Sequence, residues 1–278
     1  MIKKYDNELN EILEANIEVH TKMIDDYDSE PHFREENQRK VKDRLLELQQ
    51  RNGSKKLLDI GCGTGFIINL AKDIFEEIHG VDITLAMLEK IDTTGHNISL
   101  HNSVAEALPF EDGVFDIVTS YAFIHHVAEY KDVLKEAYRV LRDEGMMYID
   151  LEPNKAFWKA MTDLDKEKQY SGILSKEIDS VLHTDDRVSE EYGIDQDVFN
   201  KAEYTKSILG GIDPDELTEI AQTIGFSKVE VYYEWFLGEG HISHTQSFEA
   251  AHTIDSYLKE SLPLTRHLYK YLRFVLVK

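Results

Sequence analysis

One short run governs what this chain can fold into: Leu57-Leu58-Asp59-Ile60-Gly61-Cys62-Gly63-Thr64-Gly65, an apolar strand breaking into alternating glycines, with a helix opening at Phe66. A strand, a glycine turn and a helix N-terminus in that order bring backbone N–H groups against a ligand, and glycines are needed because a Cβ would block the approach. Phe66 stands where the dinucleotide fingerprint Gly-x-Gly-x-x-Gly requires its third glycine, so that fingerprint is absent. By itself the run reads either as a ligand loop or as a tight strand-to-helix turn.

The surrounding pattern supplies a fold class. Leu57–Ile60, Ile78–Val81, Ile98–Asn102, Phe115–Ser120 and Met146–Leu151 read as strands. Helical patterns over Phe66–Phe75, Leu85–Ile91 and Tyr130–Leu141 lie between them. Strand and helix in alternation predict an α/β fold: a Rossmann-like, seven-stranded, mostly parallel sheet with helices on both faces. Lys228–Phe236 alternates as a sixth strand and Arg273–Val277 closes as an antiparallel seventh. Before the core, residues 8–24 and 36–50 read as helices, broken by Asn52-Gly53-Ser54. Asp213-Pro214 starts a helix that Gly225 ends. Residues 243–261 carry Phe248, Ala251, Ile254 and Leu258 at helical spacing. The expected organisation is 1–52 as N-terminal helices belonging to a cap, 53–152 as the core, 153–212 as a helical cap insertion, and 213–278 as the rest of the core with a helical insertion at 238–270.

Charge narrows the partners. Of 278 residues, 31 are Lys or Arg and 53 are Asp or Glu, a formal net charge of −22. Such a surface repels phosphate backbones and anionic lipid, so neither nucleic acid nor membrane is expected as a partner. A single cysteine, Cys62, rules out an internal disulfide and a thiolate zinc cluster. The charged start, Met1–Asn10, carries no secretory signal pattern, and a cytoplasmic location is expected.

Asp82 ends the second strand, 17 residues beyond Gly65. A carboxylate there can accept both hydroxyls of a ribose lying across the sheet edge. It can equally cap the helix at Leu85, as can Thr84. Loop and acid together favour a nucleoside-bearing cofactor.

These residues resemble the class I S-adenosylmethionine-dependent methyltransferases, in the small-molecule branch of the ubiquinone and menaquinone enzymes. The resemblance is carried by the strand and glycine loop 57–65, Gly80-Val81-Asp82, Ala105-Glu106-Ala107-Leu108-Pro109-Phe110 with Phe115-Asp116, His125-His126, and Leu134-Lys135-Glu136 with Arg139-Val140-Leu141. It runs over residues 56–152, about a third of the chain. It implies S-adenosylmethionine as cofactor, with S-adenosylhomocysteine as product. Asp59, Gly61, Cys62, Gly63 and Gly65 would hold the methionine and ribose part, and Asp82 the ribose hydroxyls. Ile83 and Met87 would pack on adenine, Ala105 would offer its backbone to the adenine edge, and Tyr121 would face the methionine side. The family's Asp before Ala-Glu is replaced by Val104, which passes the adenine contact to Ser103, Asn102 or Glu106.

The acceptor is expected beyond the carboxyl ends of the strands, under the insertions. Candidate cap aromatics are Phe157, Trp158, Tyr170, Tyr192, Tyr204 and Trp235, most of them packing residues. His126, more than His125, is the candidate to approach the transferred methyl, because neighbours on a helix point roughly 100° apart. A neutral imidazole there can accept a proton. Tyr27 and Arg34 are candidates for a lid over the methionine carboxylate, or form a helix–helix loop with a surface ion pair. His241, His244 and His252 lack supporting carboxylate or thiolate spacing, and no metal site is expected. The sequence thus points to methyl transfer to an oxygen or nitrogen of a small molecule. The alternatives are an RNA or protein methyltransferase, which the charge and the missing Asn-Pro-Pro-Tyr-type motif disfavour, and a non-catalytic cofactor-binding protein.

Overall fold

A computed structural model describes residues 7–26, 33–164 and 168–278. Seven strands form one sheet: β1 Lys56–Ile60, β2 Glu77–Asp82, β3 Ile98–Asn102, β4 Phe115–Tyr121, β5 Leu141–Pro153, β6 Lys228–Phe236 and β7 Tyr269–Val277. Their order is β3-β2-β1-β4-β5-β7-β6. The first five pair in parallel, and β7 lies antiparallel to both β5 and β6. This is the expected mostly parallel sheet, with β7 inserted antiparallel between β5 and β6. Parallel strands are covered on both faces, which is why Leu57, Leu58 and Ile60 of β1 and Ile117 and Val118 of β4 are all fully buried.

The helices are α1 Asn7–Met23, α2 Glu35–Asn52, α3 Phe66–Ala71, α4 Leu85–Leu88, α5 Tyr130–Val140, α6 Lys155–Thr162, α7 Gly172–Leu182, α8 Thr184–Tyr192, α9 Gln196–Ala202, α10 Pro214–Ile224, α11 Glu239–Thr245 and α12 Phe248–Glu260. On one face of the sheet, Val133, Leu134, Ala137 and Val140 of α5 and Leu217 and Ala221 of α10 pack with Val118, Met147 and Phe274. On the other, Val41, Leu45 and Leu48 of α2 and Ile67, Ile68 and Ala71 of α3 pack with Leu57, Ile117 and Tyr148. Arg44 ties α2 down, donating to Asp150 and to Glu234, each at 2.8 Å.

Several boundaries differ from the sequence expectation for local reasons. α3 stops at Ala71, where the amide of Ile74 turns back to Ala71 O and Phe75 drops into the core. α4 is a single turn, Leu85–Leu88, not a helix to Ile91. β5 begins at Leu141, ahead of Met146, and takes in residues 142–145 as an irregularity, with Phe115 opposite Leu141 and Ile117 opposite Met146. The helix expected over 243–261 is α12 alone, preceded by a break at Gln246 and the separate α11. β7 begins at Tyr269, ahead of Arg273.

Smaller apolar clusters lie beside the two layers of the sheet. Ala15 and Val19 of α1 pack with Val188, Ile194, Phe199 and Ala202 of the 153–212 insertion. The two ends of that insertion meet where Asn154 bridges Ile212. The Asn154 amide also donates to the carbonyls of Arg266 and Tyr269 at 2.8 Å, fastening this junction to the chain before β7.

Candidate functional site

The glycine loop leaves β1 at the carboxyl edge of the sheet. Gly61, Gly63 and Gly65 hold φ of +67°, +52° and +91°, a left-handed region that other residues enter only with strain. The loop's amides are mostly used within the protein. Gly61 and Cys62 donate to Val81 O, Gly63 donates to Asp82 Oδ2 at 2.9 Å, and Gly65 donates to Cys62 O. The expected cradle of free N–H groups is therefore corrected: four donors are taken, and the glycines serve conformation and close approach. The face of Gly61 where a Cβ would stand is covered by the ring of Phe123, 2.1 Å from that position.

Two cavities flank this loop and share Gly61, Gly63 and Ala122 in their walls. The smaller is lined by Asp59, Cys62, Thr64, Phe33, Phe66 and Tyr121 among others. Burial lifts the Asp59 carboxyl to about 7, against the pull of a hydrogen bond from Thr119 Oγ1 at 2.7 Å. Burial also pushes the Cys62 thiol well up, so it is no thiolate nucleophile. The Tyr121 hydroxyl accepts from Asn37 Nδ2 at 2.8 Å, and its ring packs on Phe66.

The larger cavity is lined on one side by Asp82, Ile83, Thr84, Met87, Ala105 and Glu106. Asp82 is held from both sides: Oδ2 by Gly63 and Oδ1 by the amide of Thr84 at 2.8 Å. Each oxygen keeps a lone pair, which is what a vicinal diol needs. Thr84 occupies the N-cap position of α4 without a side-chain cap bond. Asp82 thus braces the turn into α4 through the amide of the N-cap residue but does not cap the helix itself. Burial raises the Glu106 carboxyl above its ordinary range. Val104 is half-buried and lines neither cavity.

The opposite wall comes from far away in sequence. Leu9, Ile12, Leu13, Asn16 and His20 of α1 face His126, Val127 and Ala128 after β4. Asn16 Nδ2 donates to His126 O at 3.2 Å, fastening α1 to the 3-10 turn Ile124–His126. His20 meets His126 edge to face, with ring centroids 5.0 Å apart. The His126 Nδ1–H donates to Ala202 O at 2.8 Å, leaving Nε2 as the ring's lone-pair nitrogen. Burial holds His126 well below the usual histidine range. His125 is anchored differently, its Nδ1–H donating to Glu152 Oε2 at 2.8 Å. Glu152, fully buried, also accepts the amides of Phe123, Ile124 and His125. Its side chain is aimed there by a kink at Leu151, φ +59°, where the β5–β7 register shifts. The two imidazoles do not diverge as expected. Their centroids lie 4.1 Å apart, tilted by 38°, and both approach the carboxylate of Glu203. In a 3-10 turn closed against Glu152, ring packing overrides the angular spacing of an α-helix.

Comparison with known proteins fits this geometry. The profile of a methyltransferase domain matches residues 58–149. The chain is 41% identical over 109 residues to a demethylmenaquinone methyltransferase of Staphylococcus saprophyticus, covering 37% of this chain and 46% of the relative. It is 36% identical over 117 residues to one of Bacillus pumilus, covering 39% and 50%. Over residues 58–149 the chain is thus similar to methyltransferase domains. It spans about half the length of these relatives, and the match stays within its central part. The fold extends further. A possible histamine N-methyltransferase of Thermotoga maritima superposes with a TM-score of 0.54 at 15% identity, covering 95% of this chain and 99% of that one. An S-adenosylmethionine-dependent methyltransferase of Archaeoglobus fulgidus superposes with 0.51 at 20% identity, covering 87% and 94%. At such identities the likeness concerns the fold alone.

Within this methyltransferase domain, Asp59, Gly61, Cys62, Gly63, Tyr121, Asp82, Ile83, Met87, Ala105, Glu106 and His126 line one or other cavity. Gly65 supports the loop from below, against Ile91. Arg34 is exposed at the start of α2 and lines neither cavity, and its neighbour Phe33 enters the smaller one instead. Tyr27 lies outside the described residues. None of the six cap aromatics lines either cavity. Phe157 and Trp158 pack with Leu174 and Ile178 and against Tyr271 of β7, Tyr192 packs near α1, and the Tyr204 hydroxyl reaches Glu8 at 3.3 Å. The residues that sequence reasoning missed are Asn16, His20, Phe123, Glu152 and Glu203.

Proposed function

We propose that the chain transfers a methyl group from S-adenosylmethionine to an oxygen or nitrogen of a small-molecule acceptor. The observation that carries this reading is the anchored Asp82 carboxylate beside the glycine loop, on the floor of a cleft whose far wall ends in His126. The residues suit the cofactor. Asp82 offers an acceptor to each ribose hydroxyl, and Ile83, Met87 and Ala105 form an apolar slot for a flat base. Asp59 and Tyr121 supply polar groups on the methionine side. A single ligand filling both cavities requires Phe123 to turn off Gly61.

The sulfonium supplies an activated methyl, so the protein's task is largely to orient the nucleophile in line with it and to exclude water. Leu9, Ile12, Leu13 and Val127 give the acceptor an apolar enclosure, and His126 Nε2 accepts a hydrogen bond from its hydroxyl or amine. The names of the relatives support a small molecule of the quinone-precursor type. The test is incubation with methyl-labelled S-adenosylmethionine and a metabolite extract, followed by mass-spectrometric identification of the labelled product. Label in a low-molecular-weight acceptor is the expected result. Label in RNA or protein alone, or saturable cofactor binding without turnover on any acceptor class, would overturn the proposal.

A further inference from the structure

The pair His125–His126 meets Glu203 in an arrangement that methyl transfer does not require. The donor atoms of these three side chains lie within 4.8 Å of one another, inside the protein. Both imidazoles are oriented through Nδ1: His125 by the Glu152 carboxylate and His126 by the carbonyl of Ala202, each at 2.8 Å. A carboxylate and a carbonyl can only accept, so both Nδ1 atoms carry hydrogen. His125 Nε2 faces Glu203 Oε2 at 3.6 Å, and His126 Nδ1 lies 3.9 Å from Glu203 Oε1.

These dimensions suit a metal ion. Bonds of 2.0–2.2 Å at tetrahedral angles place neighbouring ligand atoms ~3.4 Å apart. His125 also has a fitting outer partner in Glu152, since metal-bound histidines usually donate the second ring nitrogen to a carboxylate or backbone carbonyl. At present Glu203 is paired with Lys206, three residues on in the π-helical turn Tyr204–Ile208. Lys206 is partly exposed and can swing outward.

We propose that His125 Nε2, a ring nitrogen of His126 and Glu203 bind a divalent transition-metal ion of the zinc type, displacing the Lys206 ammonium from Glu203. Two imidazoles and one carboxylate select such an ion over magnesium or calcium, which take oxygen donors. Three protein ligands leave a fourth position for water. Only the further step, that an acceptor heteroatom takes this position in place of the bare His126 nitrogen, rests on the methyl-transfer reading.

The test needs no methyl donor and no acceptor. Untagged protein, stripped with chelator and dialysed, is titrated calorimetrically with Zn²⁺, and Co²⁺ is used to follow ligand-field absorption. One equivalent of Zn²⁺ should bind, and Co²⁺ should give a tetrahedral visible spectrum. Outer-sphere losses at metal sites weaken binding by about 10–100-fold, so loss of a ligand in His125→Ala or Glu203→Gln should cost about 100-fold or more. Lys206→Met should tighten binding, because the competing cation is gone. Glu203→Gln preserves shape, and its melting temperature in the absence of metal shows whether it folds. Absence of saturable binding, binding equally strong in His125→Ala and Glu203→Gln, or no tightening in Lys206→Met would overturn the proposal.

Discussion

The two walls of the cleft are built in opposite ways. The floor, from Asp59 through the glycine loop to Asp82, comes from two adjacent parallel strands and is closed by local bonds: Gly63 to Asp82, Asp82 to Thr84, and Gly61 to Val81. The far wall brings together α1, the 3-10 turn after β4, the end of β5 and the end of α9. Its bonds link Asn16 to His126, His125 to Glu152 and His126 to Ala202. The floor is a property of one supersecondary unit. The far wall is held by bonds between segments distant in sequence, so a change on one wall should leave the other largely intact.

The largest expected effect tests the floor. Gly61→Ala combines a left-handed φ, worth roughly 1–3 kcal/mol of strain, with a clash on Phe123 adding about 1–3 kcal/mol. Chemical denaturation should show the sum. Adding Phe123→Ala should recover the clash alone, and full recovery would show that the φ carries no strain.

The next effect is pH dependence at Asp59. Its folded carboxyl titrates near 7, above its ordinary 3.8, so between these values the folded state holds a proton that the unfolded state has lost. Stability from this group is therefore greatest below about pH 4, falls as pH rises, and levels off above 7. Asp59→Asn should flatten that decline, which is of order a few kcal/mol. A cationic ligand beside Asp59 favours its ionised form, so S-adenosylmethionine affinity should weaken below pH 7 in the wild type and not in Asp59→Asn. Parallel pH profiles for the two proteins would remove Asp59 from the cofactor side.

How much of this was legible in the sequence follows the same division. The sheet, the glycine loop and Asp82 were readable because their partners stand within one strand–helix–strand unit and the apolar runs mark it. Two details failed even there: the loop amides are consumed internally, and α3 and α4 end early because Phe75 and the chain before β3 must return to the sheet. The far wall showed only as His125-His126. Glu203 lies 77 positions beyond His126 in a polar helical stretch, and Glu152 reads as an ordinary strand residue. No local period couples them, and the kink at Leu151 that aims Glu152 left no pattern. Asn16 and His20 carried a faint signal, four residues apart on the face of α1 that also holds Leu9, Ile12 and Leu13.

A smaller effect separates catalysis from binding. His126→Ala should lower kcat by roughly 10² or more while changing cofactor affinity little, and His126→Gln should restore most activity if the side chain only shapes the pocket. Unchanged turnover in both variants would leave positioning as the whole contribution. The smallest effect concerns docking of the far wall. Asn16→Ala removes the tie from α1 to the His126 carbonyl and should cost about 1 kcal/mol, read as faster hydrogen exchange in residues 7–23. Faster exchange in the glycine loop as well would show that the two walls are coupled.

The most direct test is calorimetric titration with S-adenosylmethionine, and in parallel with NAD, of the wild type and of Asp82→Ala. Saturable one-to-one binding of S-adenosylmethionine is expected, weakened in Asp82→Ala by about 1–3 kcal/mol, since one charged acceptor for two hydroxyls is lost. Tight binding of NAD with none of S-adenosylmethionine, or equal affinity of the two proteins for S-adenosylmethionine, would contradict the assignment of the cleft floor.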